Sequence, residues 1–258
     1  MSPAQMWISY YTIVRKDTMR ILRLWAQTFL PSGITSVLYF TVFGTILGSK
    51  IGEISGVDYI QFVVPGLVML NVITNAYSNV ATTFFTSKFF ARSIDEILVS
   101  PTPPWVLIAG FVSGGVVRGF LVGILVLLVS LIFAIPSIAH PLIVLLFLLL
   151  ASLLFSLGGL INGIYAKSFD GISIVPTFVL TPLVYLGGVF YSTTALPGWA
   201  QTLSHFNPVF YIINGFRYGF LGFADVSIVT CVAVLSLLIA IFVGISYYFL
   251  RTGLGLRQ

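Results

Sequence analysis

The chain has 258 residues, 58% hydrophobic and only 7% charged, with a mean hydropathy of +1.08. Soluble domains carry roughly 25% charged residues, so this chain cannot cover a water-facing surface, and lipid must be most of its solvent. The net charge of +5 does not signal nucleic-acid binding, because the basic residues punctuate apolar runs instead of clustering on one polar face.

Residues 1–29 contain four basic residues and no compact apolar core with a cleavage site, so no cleavable signal peptide is expected. Residues 7–25 instead project as an amphipathic helix. Trp7, Tyr11, Val14, Thr18, Ile21 and Trp25 share one face, and Lys16, Arg20 and Arg23 fall opposite. An aromatic stripe against a basic one predicts a helix over 4–28 lying in the headgroup plane, its cations near anionic lipid.

A membrane span needs roughly 20 apolar residues. The uncharged runs predict six. Span one is placed at roughly Pro31–Leu47, between Arg23 and Lys50, and span two between Asp58 and Lys88. Pro101, Pro103 and Pro104 delay span three to Trp105, from where it runs through Arg118 to about Ala134. Pro136, His140 and Pro141 separate it from span four, and Ile172–Phe190 is span five. The Pro-, Gly-, Asn- and aromatic-rich stretch 191–222 reads as short interfacial or re-entrant helices. Residues 226–250 form span six. The fold class is therefore all-α, one transmembrane domain over 1–258.

With the N-terminus inside, the inner side holds Arg15, Lys16, Arg20, Arg23, Lys88, Arg92, Lys167, Arg251 and Arg257; the outer side holds Lys50 and Arg217. That bias places both termini in the cytoplasm.

Polar residues inside spans mark contacts or paths. Asn71, Asn75 and Asn79 recur every four residues in span two, and interhelical hydrogen bonding and a substrate path explain them equally well. Thr177, Thr181 and Tyr185 form a similar stripe in span five. Arg118 is the charge within a span; reaching out to the inner headgroups is favoured over a functional role. Gly115, Gly119 and Gly123 make a small-residue face, for which Gly159 and Gly163 of span four are the expected partner. His140, His205 and the single cysteine, Cys231, do not supply the three or four convergent ligands of a metal site.

Between spans two and three, residues 88–104 form a cytoplasmic loop. Ser93 and Glu96 can make a capping box, and Pro101 stops the helix they start. The resulting short helix carries Ile94, Ile97 and Leu98 beside Asp95 and Glu96, which favours a docking element over a solvated connector.

Two stretches carry a resemblance. They are Arg92…Asp95-Glu96-Ile97-Leu98-Val99-Ser100-Pro101 and Leu196-Pro197-Gly198-Trp199…Leu203…Asn207-Pro208…Tyr211…Gly215-Phe216-Arg217. Their order, spacing and span count resemble the membrane permeases of ATP-binding cassette exporters of the type 2 class, in particular the bacterial YadH-like inner-membrane permeases. The resemblance implies a coupling helix at Arg92, Ile94, Asp95, Glu96, Ile97 and Leu98 that fits a separate ATPase subunit. It implies an outer gate built around Trp199, Asn207, Pro208 and Arg217, with spans two and five lining the path at a homodimer interface. No Gly-Lys pair occurs, so the chain lacks the phosphate-binding P-loop. Two partner ATPase copies would then carry ATP and Mg, leaving no cofactor in this chain. An ion-coupled secondary transporter is the alternative, and an intramembrane enzyme a more distant one. The first lacks acidic residues within its spans, and the second lacks a mid-span base.

Overall fold

The computed structural model describes residues 1–54, 56–90, 100–193 and 196–255. Helix accounts for 81% of the chain. In chain order, α1 is Pro3–Arg23 and α2 is Trp25–Ile51; α3 is Tyr59–Phe89, α4 Pro104–Ser130 and α5 Pro141–Tyr165. Then come α6 (Phe169–Leu186), α7 (Gly198–His205), α8 (Pro208–Leu221) and α9 (Ile228–Thr252). Two-residue strands β1 (Glu53–Ile54) and β2 (Val57–Asp58) pair antiparallel between α2 and α3, a detail the all-α reading did not contain.

Six of the helices, α2, α3, α4, α5, α6 and α9, are long and apolar enough to cross a membrane. An even number of crossings puts both chain ends on one side. That side is called the terminal end below, and the other the distal end.

The boundaries differ from expectation at three places. Helix α1 stops at Arg23, five residues before the expected limit of 28, because Leu24 leaves helical geometry (φ −99°, ψ 34°). Span one therefore starts at Trp25 and carries Pro31 inside it. Proline is tolerated in membrane helices where neighbours satisfy the freed carbonyls. Span three ends at Ser130, short of Ala134. Span five ends at Leu186, where Gly187 and Gly188 follow and Gly188 turns into the left-handed region at φ +83°. Both α2 and α6 contain a π-helical stretch, Phe40–Leu47 and Pro176–Leu180.

The core is α3, α4 and α5. Helix α3 is the hub, with 72% of its central window buried. Close approach explains this. Gly115, Gly119 and Gly123 of α4 lie where side chains of α3 and α5 would meet a Cβ: Ala76 and Val80, Ser152 and Ser156, Val72 and Leu148. The expected partner was different. Gly159 and Gly163 do not face that stripe; they lie against the α3 backbone at Tyr77 and Ala81. Serines of α5 thus fill the α4 stripe, while glycines of α5 admit α3. By contrast, α6 and α9 sit at the margin, with 17% and 11% of their windows buried.

Candidate functional site

A charged cluster forms where α1 crosses α3 and α4. Gly110 and Gly114 of α4 leave room for Ile13 and Asp17 of α1. The Asp17 carboxylate, 4% exposed, is held by Arg20 Nη2 at 2.7 Å and by Asn79 Nδ2 at 2.8 Å. Arg20 Nη2 also donates to Asn79 Oδ1 at 2.9 Å and to the Thr83 hydroxyl. From α4, Arg118 donates through Nε to Asn75 Oδ1 (3.3 Å) and through Nη1 to Asn79 Oδ1 (3.4 Å). One carboxylate therefore answers two guanidiniums, with amide oxygens sharing the excess charge. Tyr10 and Ser113 join their hydroxyls beside it at 3.0 Å.

Depth makes this arrangement unusual. Arg118 and Asn75 each lie fourteen residues from the terminal end of their helix, about 21 Å at 1.5 Å per residue. Arg118 leans one turn towards that end, and its guanidinium stops on Asn79 of α3 instead of extending to a headgroup. The asparagine stripe is consumed within the protomer. Asn71 donates to Ser36 Oγ (3.4 Å) and Leu67 O (2.9 Å); Asn75 donates to Ser32 Oγ (3.2 Å) and Asn71 O (3.0 Å). Asn71 and Asn79 are 4% and 0% exposed.

Of the expected aromatic stripe, Trp7 and Tyr11 of α1 are exposed, Ile21 is buried, and Trp25 falls in α2 beyond the break at Leu24; Lys16 and Arg23 are exposed on the opposite side. Arg20 departs from the predicted basic face and turns into the bundle. The helix has a third face, on the flank between the other two, made by Met6, Tyr10, Ile13 and Asp17. Sequence reasoning missed Asp17 and Thr83. The available signal was one acid among four cations in α1, on the same flank as Ile13.

At the foot of α3, the Lys88 ammonium donates to Ile164 O (3.0 Å) at the end of α5 and to Gly255 O (2.5 Å) beyond α9. It lies 4.9 Å from the Phe89 ring centroid. The residues that follow include Arg92, Ile94, Asp95, Glu96, Ile97 and Leu98, which lie outside the described residues.

The distal end is built around α7 and α8. Asn207 caps α8 by accepting from Val209 N (2.9 Å), and its amide donates to Leu183 O (2.5 Å) of α6. Pro208 opens α8, where its missing N–H costs nothing. Arg217, 3% exposed, donates to Gly188 O (2.7 Å) and stacks 3.8 Å from the Phe62 ring centroid. Burial pushes its pKa down to about 10, countered in part by the Asp225 carboxylate, so the guanidinium keeps its proton at neutral pH. Asp225 itself accepts from Thr193 Oγ1 at 2.9 Å. Trp199 is 73% exposed.

Along α6, Thr177, Thr181 and Tyr185 are exposed. The two threonine hydroxyls donate to backbone carbonyls of their own helix, Ser173 O and Pro176 O.

Comparison with known proteins bears on what these sites do. The ABC-2 type transporter family model matches residues 8–221. The inner membrane transport permease YadH of Escherichia coli K12 is 53% identical over 252 residues, 98% of each chain. Nodulation protein J of Rhizobium leguminosarum bv. trifolii is 25% identical over 232 residues, 86% of this chain and 83% of that protein.

Proposed function

The chain belongs to the ABC-2 type transporter family, and on that premise we propose that it forms half of the translocation path of an ATP-driven exporter, as a homodimer. It is a membrane permease subunit of an ABC transporter, a multi-pass protein of the inner membrane. The motor is a separate ATP-binding subunit, two copies per homodimer, which would hold ATP and Mg.

The observation that carries the homodimer reading is the state of α6. A span with 17% of its window buried and a stripe of exposed hydroxyls is left uncovered by its own chain. A second copy meeting it would place Thr177, Thr181 and Tyr185 on a shared, uncharged polar path. A path along Asn71, Asn75 and Asn79 would require α1 and α2 to leave their seats, since those amides are engaged by Asp17, Ser32 and Ser36. The α6 stripe is therefore the better candidate. So few fixed charges argue for a cargo without high charge.

The terminal end faces the cytoplasm by its lysines and arginines. There α1 lies along the headgroups with Trp7 and Tyr11 as anchors, and Trp25 opens α2 at the same level. The coupling element is Arg92, Ile94, Asp95, Glu96, Ile97 and Leu98. ATP binding pushes it, and the motion reaches α3 directly and α1 through Asp17. At the distal end, α7 and α8 dip back as half-helices, and Trp199, Asn207, Pro208 and Arg217 shape the exit.

Affinity purification of the tagged chain in mild detergent tests the reading. A co-purifying ATPase, released by Glu96→Arg with Leu98→Glu, is the expected result. Transport that survives ATP depletion and collapses with an ion gradient would instead establish the ion-coupled alternative.

A further inference from the structure

Helices α5, α6 and α9 do not close on one another. Between them lies a groove of about 650 Å³, within the size range of small-molecule sites. Its walls are almost wholly apolar, and Tyr77 and Asn162 form a polar floor. Asn162 Nδ2 donates to Ile172 O at 3.2 Å, while the buried Tyr77 hydroxyl has no hydrogen-bond partner among the described residues. The groove ends at Phe206 on one side and at the Tyr165–Phe249 ring pair, centroids 4.9 Å apart, on the other.

Its position identifies what fills it. Along α5 it reaches from Leu154 to Tyr165, and along α9 from Leu238 to Phe249. Each stretch is about 16 Å at 1.5 Å per residue, roughly half of a 30 Å hydrocarbon layer. Both stretches lie in the half nearest the terminal end. Along α5 and α9 the groove thus has about the depth of one leaflet, closed beyond it by Leu183 of α6 and by Phe206 and Pro208, and two of its walls, α6 and α9, are the least buried of the six candidate spans.

Its mouth is cationic. Lys167 follows Tyr165 by two residues and Arg251 follows Phe249 by two; both are exposed. Lys88 lies against Ile164 beside them. Among the described residues one exposed carboxylate, Asp170, stands nearby in sequence, three residues after Lys167, leaving positive charge in excess there. We propose that the groove seats one acyl chain of an anionic bilayer phospholipid from the leaflet at the terminal end, with Lys167 and Arg251 holding its headgroup. The site is separate from the α6 hydroxyl stripe and does not depend on ATP coupling.

The experiment uses the full-length chain in vesicles of equal palmitoyl-oleoyl phosphatidylglycerol and phosphatidylcholine. After extraction in mild detergent, native mass spectrometry counts retained phospholipid. The wild type should keep one phosphatidylglycerol per chain, preferred about tenfold over phosphatidylcholine. A Cβ on Gly158 would sit 3.6 Å from its nearest neighbours, so Gly158→Phe fits the backbone and fills the groove; it should lose the retained lipid. Lys167→Gln with Arg251→Gln should keep a lipid and lose the preference. Equal retention of the two lipids by the wild type overturns the proposal, as does undiminished retention by Gly158→Phe. Should Gly158→Phe fail to fold, an unchanged preference in the charge variant overturns it alone. Discharge of the lipid on addition of the ATPase subunit with ATP would make it cargo and overturn the resident assignment.

Discussion

The two deep charge sites are held in opposite ways. Arg217 is enclosed, donating to the Gly188 carbonyl and stacking on the Phe62 ring, with its Nε left unpaired. Arg20 of α1 and Arg118 of α4 are answered by side chains of two helices, α3 and α1, and α1 is not a span. A site of the first kind is part of the core. A site of the second kind is a joint, because every bond in it can be exchanged when one helix moves. The joint lies beneath α1, where α1 crosses α3 and α4.

Substitutions should separate the two. The largest effect is expected at Arg217→Ala, which leaves Gly188 O without its donor and a void over Phe62. A loss of about 2–4 kcal/mol follows from an unmatched carbonyl and the lost packing. The check is thermal unfolding in detergent, and Arg217→Lys should recover little, since an ammonium cannot stack as a guanidinium does. Next comes Asp17→Asn, which leaves two guanidiniums facing each other. Partial exposure of Arg20 (35%) screens the penalty, so about 1–3 kcal/mol is expected. A double-mutant cycle with Arg20→Gln should show the two changes costing less together than their sum. If the cycle is additive, the cluster is not a coupled joint.

Gly114→Ala sharpens the same point without touching a charge. Its methyl would collide with the Asp17 carboxylate, so α1 must shift, at about 1–3 kcal/mol. Tyr10→Phe, which removes the neighbouring hydroxyl contact at 3.0 Å, should cost less stability in that variant than in the wild type, because the shift of α1 has already opened the pair. Smallest in stability is Thr181→Ala on the exposed stripe, within about 0.5 kcal/mol of wild type. Its effect should appear in transport assays of the reconstituted complex, and a variant with full transport would remove the α6 stripe from the path.

Much of this was legible in sequence because charge is so scarce. Six uncharged runs become six spans, and the asparagine period of four becomes one helix face. The remainder failed for physical reasons. A helical wheel of α1 offers two obvious stripes, and the packing face lies between them; nothing local says that α4 has glycines waiting for Asp17. Arg118 was read as reaching for headgroups, because its amide partners on α3 are distant in sequence. The glycine pairing was misassigned because small residues announce a close approach without naming the partner. The π-helical stretches of α2 and α6 leave no pattern in composition.

Lys88 carries one last consequence. Its ammonium fastens the foot of α3 to the ends of α5 and α9 through two carbonyls, three residues before the loop expected to meet the motor. Displacing that foot alone would strip a cation of both acceptors in a place with few others. The three spans therefore share one footing. Under the proposed coupling, a load applied after Lys88 would arrive as a tilt of the whole trio, including two walls of the lipid groove, and α6 would stay free for the proposed second copy.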